Sequence, residues 1–240
     1  MPIDPFLLLR AYAIGVFPMA DDRESREIYW VEPKRRAIMP LDGFHLSRSL
    51  AKVIRSGCFD VRVNSDFEQT VRLCAQAAPD RPTTWINHEI ETSYAMLHRY
   101  GFAHSVECWQ EGELVGGLYG VTLGRAFFGE SMFSRRPDAS KVALAWLVAR
   151  MRLSGCTLLD CQFMTAHLRS LGAVEVDRRE YQSLLADALT GVSLADASAL
   201  LAAGPGPEAE AAFTPELPPA STVSGPSSGH FIAQLLTQTS

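Results

Sequence analysis

Between Asp42 and Leu189, apolar positions switch between helical spacing and strand-like alternation, and Gly, Pro, Asp and Asn stand at the changes. Ser47 to Arg55 reads as a short helix stopped by Gly57, and Phe59 to Val63 alternates as a strand. Asp66 caps a predicted helix running to about Ala77; Pro79–Thr84 is a turn cluster; Asn87 caps a helix from Glu89 to Tyr100, with Gly101 at its end. Three strands follow in succession, Ala103–Trp109, Leu114–Leu123 and Arg125–Phe133, joined through Glu111-Gly112 and Gly124. The helix predicted over Ser140–Leu153 has an almost wholly apolar middle, so it is expected to be buried on more than one side. A strand (Thr157–Gln162), a short helix (Ala166–Leu171), a strand (Val174–Val176) and a helix (Arg179–Leu189) complete the pattern.

This order predicts an α/β (α+β) protein with a mixed sheet, and it resembles the GCN5-related N-acetyltransferase fold. Residues 1–38 read as a small, proline-punctuated N-terminal domain, 39–190 as the catalytic domain, and 191–240 as a low-complexity tail rich in Ala, Pro, Ser and Gly. Most of the tail is expected to be disordered, with a possible short helix at His230–Leu236.

Charge sharpens this division. The formal charge is −5, but residues 191–240 hold none of the 22 basic residues and four of the 27 acidic ones, Asp196, Glu208, Glu210 and Glu216. Residues 1–190 thus carry 22 basic against 23 acidic side chains, a net −1. The whole-chain sign is therefore a poor guide to the partners of the folded part. No run approaches the roughly 20 apolar residues of a membrane helix. Phe6–Phe17 is broken by Arg10 and follows Asp4, unlike a signal peptide. The five cysteines (58, 74, 108, 156, 161) form no C-x-x-C and read as small, reduced packing side chains, which points to the cytoplasm.

The strongest chemical signal is Gly129-Glu130-Ser131 leaving one strand and Asp160-Cys161-Gln162 ending another. Strand alternation places Asp160 and Gln162 on one face and turns Cys161 into packing. A catalytic pair competes here with a plainer reading, a helix cap and a backbone hydrogen bond. Glu130 alone would serve equally well in a salt bridge with Arg135 or Arg136. Ser131 and Ser134 do not fit the G-x-S-x-G elbow of a serine hydrolase, and the six histidines show no metal-binding spacing. An acyl-CoA-dependent acetyltransferase is disfavoured because Ser134–Lys141, where such enzymes cradle pyrophosphate on glycines, has no glycine. Arg48, Lys52 and Arg55 recur at i, i+4 and i+7, a stripe that is either a solvated face or a contact for RNA phosphates.

Several phrases occur together: Ala11–Pro18, Phe44–Ser49, Thr84-Trp85-Ile86, Ala103–Glu107, Leu114–Val121, Phe127–Ser134, Ala139–Lys141, Leu159–Gln162 and His167–Ala173. In this order they resemble the bacterial leucyl/phenylalanyl-tRNA–protein transferases. The resemblance implies transfer of Leu or Phe, and Met less well, from aminoacyl-tRNA to proteins with N-terminal Arg or Lys, which are then recognised for degradation. It implies a cytoplasmic enzyme that needs no cofactor and no metal. By the same resemblance, Asp160 and Gln162 serve the chemistry and Glu130 helps to place the acceptor. Tyr12, Met19, Trp85, Tyr94 and Phe127 would form the donor side-chain pocket, and Arg48, Lys52 and Arg55 would hold the tRNA acceptor stem. In the expected mechanism Gln162 orients the amine and Asp160 assists proton removal, directly or through a relay.

Three departures stand out. Met19 occupies the place of a Trp, Thr165 that of an Asn, and the chain starts late, so the small domain is expected to be reduced. A non-catalytic binder of aminoacyl-tRNA or N-terminal peptides is the alternative that Met19 and Thr165 leave open.

Overall fold

The chain opens with α1 (Pro5–Ala13), whose N-cap Asp4 accepts the Leu7 N–H at 2.9 Å. A short antiparallel pair follows, β1 (Phe17–Met19) and β2 (Tyr29–Val31), and then β3 (Arg35–Met39). The next three helices begin where capping residues predict. Ser47 opens α2 (Arg48–Ser56), Asp66 opens α3 (Phe67–Cys74), and Asn87 opens α4 (His88–Arg99). Gly57 closes α2 with a φ of 64°, the left-handed conformation that glycine adopts without strain. Strand β4 (Asp60–Val63) lies between α2 and α3, and β5 (Ala103–Gln110), β6 (Glu113–Leu123) and β7 (Ala126–Ser134) form the expected meander. The remaining elements are α5 (Ala139–Leu153), β8 (Leu158–Gln162), α6 (Ala166–Ser170), β9 (Val174–Asp177), α7 (Arg178–Ala188) and α8 (Ser228–Thr237).

This computed structural model describes residues 1–77, 82–193, 195, 198 and 228–237. The turn expected over Pro79–Thr84 lies partly outside the described residues, and the expected disordered tail lies mostly outside them. Its end, however, forms α8, which packs on α2 and α5. Among the described residues no helix is long and apolar enough to cross a membrane.

Seven strands form one mixed sheet in the order β4-β5-β6-β7-β8-β3-β9, giving the α/β architecture expected. All neighbours are antiparallel except β7 and β8, which run parallel. Strand alternation divides the apolar side chains between two cores. Phe128 and Leu158 join α1, α3, α4 and α7 on one face; Phe127 and Leu159 join α2, α5 and α8 on the other. Helix α5 is buried on more than one side, as its sequence predicts. It begins close against the sheet because Gly116 has no side chain: a Cβ there would stand 2.4 Å from that of Ala139.

The N-terminal residues share the first core, since Leu8, Leu9 and Tyr12 pack with Ile90, Tyr94 and Phe128. Strand β3 runs across the boundary expected at 38/39 and sits between β8 and β9. Its Arg36 therefore belongs to the main sheet.

Candidate active site

The parallel strands β7 and β8 pair only from Ala126↔Leu158 to Phe128↔Asp160, yet both continue beyond that point. A cavity of about 660 Å³ is lined by residues of both continuations, Gly129 to Ser134 on β7 and Cys161 and Gln162 on β8. That volume suits a small ligand or the end of a larger one. Phe17, Met19, Trp85 and Leu118 supply an apolar wall. Met19 and Trp85 are brought together because the Ala20 N–H donates to the Trp85 carbonyl at 3.1 Å.

Two bulges aim the polar groups. Tyr119 pairs with Ser131 and Gly120 with Gly129, which leaves Glu130 as the extra residue of β7. Ala37 pairs with Gln162 and Ile38 with Asp160, which leaves Cys161 extra on β8. A bulge bends its strand and redirects side chains. Here it overrides the alternation expected of Asp160-Cys161-Gln162: Cys161 and Gln162 both reach the cavity, and Asp160 lies beneath it, fully buried. Gln162 takes a φ of 55°, a left-handed conformation uncommon for a residue with a side chain. Its side-chain nitrogen is buried and has no hydrogen-bond partner among the described residues.

Glu130 sits in a closed ring of oxygens. Tyr12 Oη is 2.7 Å from Oε1, Tyr94 Oη is 2.8 Å from Oε2, and the two hydroxyls are 2.6 Å apart. Three hydrogen bonds among these groups need three protons, and two tyrosines supply only two. The ring is complete when Glu130 carries the third. Burial pushes the Glu130 carboxyl up to about 7; the tyrosine bonds offset this in part, and the nearby Asp160 charge adds to it. Burial and Glu130 also raise both tyrosines well above their usual range, so neither ionises near neutrality.

Asp160 is held by four donors. Arg36 Nε lies 2.8 Å from Oδ1 and Nη2 lies 2.6 Å from Oδ2; Tyr181 Oη donates to Oδ2 at 2.8 Å; the Gln162 N–H donates to Oδ1 at 2.9 Å. The Arg36 guanidinium lies between the rings of Phe17 and Tyr181, at 4.7 and 4.6 Å, and donates to the Gly15 carbonyl at 2.9 Å. Asp160 is thus a buried, paired anion whose bond to the Gln162 main chain fixes that residue at the cavity wall. Sequence reasoning missed both Arg36 and Tyr181. The available signal was an arginine entering the apolar run Ala37-Ile38-Met39, since a charged side chain there needs a buried partner.

Of the expected donor-pocket residues, Met19 and Trp85 line the cavity. Tyr12 and Tyr94 stand behind Glu130 as its hydrogen-bond donors. Phe127 points into the second core, on the opposite face from Phe128. Thr165 lines the cavity, but its hydroxyl caps α6 by accepting the Leu168 N–H at 3.1 Å. The Ser134–Lys141 segment closes on itself, with the Ser140 N–H donating to Ser134 Oγ at 3.2 Å. Arg48, Lys52 and Arg55 are exposed on α2, and none of them lines the cavity.

Comparison with known proteins gives consistent matches. A family model described as leucyl/phenylalanyl-tRNA protein transferase matches residues 38–186, and one for the N-terminal domain of that family matches residues 1–34. A leucyl/phenylalanyl-tRNA–protein transferase from Rhizorhabdus wittichii is 59% identical over 245 residues, covering 99% of each chain. A protein of the same name from Zymomonas mobilis is 60% identical, covering 78% of this chain and 70% of its own. Another from Paramagnetospirillum magneticum is 55% identical, covering 84% and 96%. Among solved structures, L-PGS from Bacillus licheniformis aligns with a TM-score of 0.37 at 14% identity, over 67% of this chain and 53% of that one.

Proposed function

Because the chain belongs to the leucyl/phenylalanyl-tRNA–protein transferase family and is an aminoacyltransferase, we propose that it transfers Leu or Phe, and Met less readily, from aminoacyl-tRNA to the α-amine of proteins beginning with Arg or Lys. The extended protein is then marked for degradation, and the use of charged tRNA puts the reaction in the cytoplasm. The observation that carries the reading is the cavity between β7 and β8, where an apolar wall meets Gln162 and Glu130.

The donor ester is already activated, so the reaction needs an amine, a carbonyl and a path for one proton. The wall of Met19, Trp85, Phe17 and Leu118 takes an unbranched, branched or aromatic apolar side chain, and Met19 adapts to its shape. Gln162 offers an acceptor and a donor on one planar group. Its oxygen orients the attacking amine, and its NH₂, buried and without a partner among the described residues, is left free to donate to the oxyanion once bound substrate turns the amide toward it. The new C–N bond forms as the ester C–O bond to the tRNA 3′ oxygen breaks. Ionised Glu130 accepts the proton released by the amine and that proton is passed on to the departing 3′ oxygen, which regenerates the Glu130 carboxylate and closes the balance. Asp160 acts one step back: paired with Arg36, it holds the Gln162 main chain in its left-handed conformation. The acceptor's cationic side chain is drawn by ionised Glu130, since Arg36 already neutralises Asp160. Arg48, Lys52 and Arg55 hold the phosphates of the acceptor stem.

Transfer of labelled Leu, Phe and Met from charged tRNA to peptides starting with Arg, Lys or Ala tests this. Product with Arg and Lys but not Ala is expected. Binding of both substrates without product would make the protein a binder, and turnover of acetyl-CoA by RNase-treated protein would make it an acyl-CoA enzyme.

A further inference from the structure

Helix α2 has nine residues, fewer than the roughly 12–15 that an isolated helix needs in water. Its position must therefore come from packing. Leu50, Ala51 and Ile54 face inward, and Arg48, Lys52 and Arg55 face out. Part of the inward surface is covered by α8, whose Ile232, Ala233 and Leu236 are buried in the same core as Leu50 and Ile54. The two helices touch backbone to backbone at Gly229, where a Cβ would stand 2.2 Å from the Ile54 carbonyl oxygen. Arg152 of α5 ties α8 to the segment that leads into α2. Its Nη1 donates to the Leu235 carbonyl at 2.9 Å, and its Nε donates to the Leu41 carbonyl, just before α2, at 2.9 Å.

Helix α8 contains no Asp, Glu, Lys or Arg. It brings no phosphate-binding charge, and it lies beyond the segment matched by the family model. Its docking on α2 gives it a geometric route to an RNA partner.

We infer that α8 is a positioning element for tRNA: by docking on the inner face of α2 it fixes the direction in which Arg48, Lys52 and Arg55 present their charges to the acceptor stem. The inference rests on the reading of that stripe as the stem contact. No residue of α8 lines the cavity, so substitutions that undock α8 loosen the stripe and weaken the use of the whole tRNA more than the chemistry at its 3′ end.

The test uses the full chain with Gly229→Val and, separately, Ile232→Asp, and two donors: Phe-tRNA and 3′-O-phenylalanyl adenosine, which has the reacting ester but no stem. The expected result is a rise of at least fivefold in KM for Phe-tRNA at unchanged kcat, with kcat/KM for the adenosine ester unchanged. Gly229→Ala, a smaller intrusion, should lie between wild type and Gly229→Val. Equal losses with both donors would reduce α8 to general stability and overturn the inference, as would unchanged kinetics in variants whose α8 is freed by limited proteolysis. Arg48→Ala/Lys52→Ala/Arg55→Ala separates the two layers. If it raises the Phe-tRNA KM and the α8 variants do not, only the α8 inference fails; if it leaves that KM unchanged, the stripe reading fails and the inference with it.

Discussion

At the scale of single residues, the site depends on two buried carboxylates with different partners. Asp160 is paired with the Arg36 guanidinium, whereas Glu130 meets two tyrosines and is pushed up to about 7. The sign of the Glu130 linkage follows. A carboxyl raised in the folded state stabilises the fold fully below its ordinary value of 4.5 and loses that contribution as pH rises through about 7. At about 1.4 kcal/mol per unit this amounts to on the order of 3 kcal/mol. Denaturant unfolding at pH 4.5 and pH 8 should show wild type losing that much relative to Glu130→Gln; parallel curves would refute the assignment. The same variant should lower kcat/KM by about 10²–10⁴-fold. It should also remove the limb near pH 7 from the rate profile, leaving only that of the acceptor amine near 8.

Arg36 and Asp160 call for a different experiment, because breaking a buried pair costs more than replacing it. Arg36→Leu or Asp160→Leu alone should lose about 3–5 kcal/mol, and the double variant less than the sum of the two. Additive losses would show that the pair is not coupled. Glu130 and Asp160 were both visible in the sequence as carboxylates at strand ends. Their partners were not, because Tyr12, Arg36 and Tyr94 meet them only where distant parts of the chain pack together.

At the scale of elements, the helix starts at Ser47, Asp66 and Asn87 were legible because a cap is a contact between residues three apart. The meander was legible for the same reason, with its turns at Gly112 and Gly124. Strand β3 was not, because Arg35-Arg36 spoils its apolar pattern and its partners β8 and β9 lie far along the chain. Bulges were equally hidden, since strict alternation predicts the wrong face after each one. The bulge at Cys161 matters most because it leads into the left-handed Gln162. A strained conformation kept at a reacting position trades stability for geometry. Gln162→Gly should therefore leave unfolding stability unchanged or raise it by up to about 1 kcal/mol, while transfer falls at least 100-fold. A loss of more than 1 kcal/mol would show that the side chain, rather than the backbone, is what the fold needs there.

At the scale of the whole molecule, charge is distributed in a way that the total conceals. The net −5 is set largely by residues 191–240, and the part that forms the sheet and the cavity is close to neutral. Such a body has no broad field with which to attract a tRNA, so binding has to rest on a few local contacts. The exposed stripe on α2 is the ordered set available, and its three charges set a limit on the salt dependence. Each phosphate contact contributes nearly one unit to the slope of log K against log salt. Arg48→Ala/Lys52→Ala/Arg55→Ala should therefore lower that slope by about 2–3 units for Phe-tRNA and raise its KM about tenfold or more at 0.1 M salt. It should leave kcat unchanged, because none of the three lines the cavity. Measurement of KM from 0.05 to 0.4 M salt decides the matter: a slope that stays at the wild-type value would mean that the stem is held by other cations, and that the regular spacing on α2 is only the solvated face of a short helix.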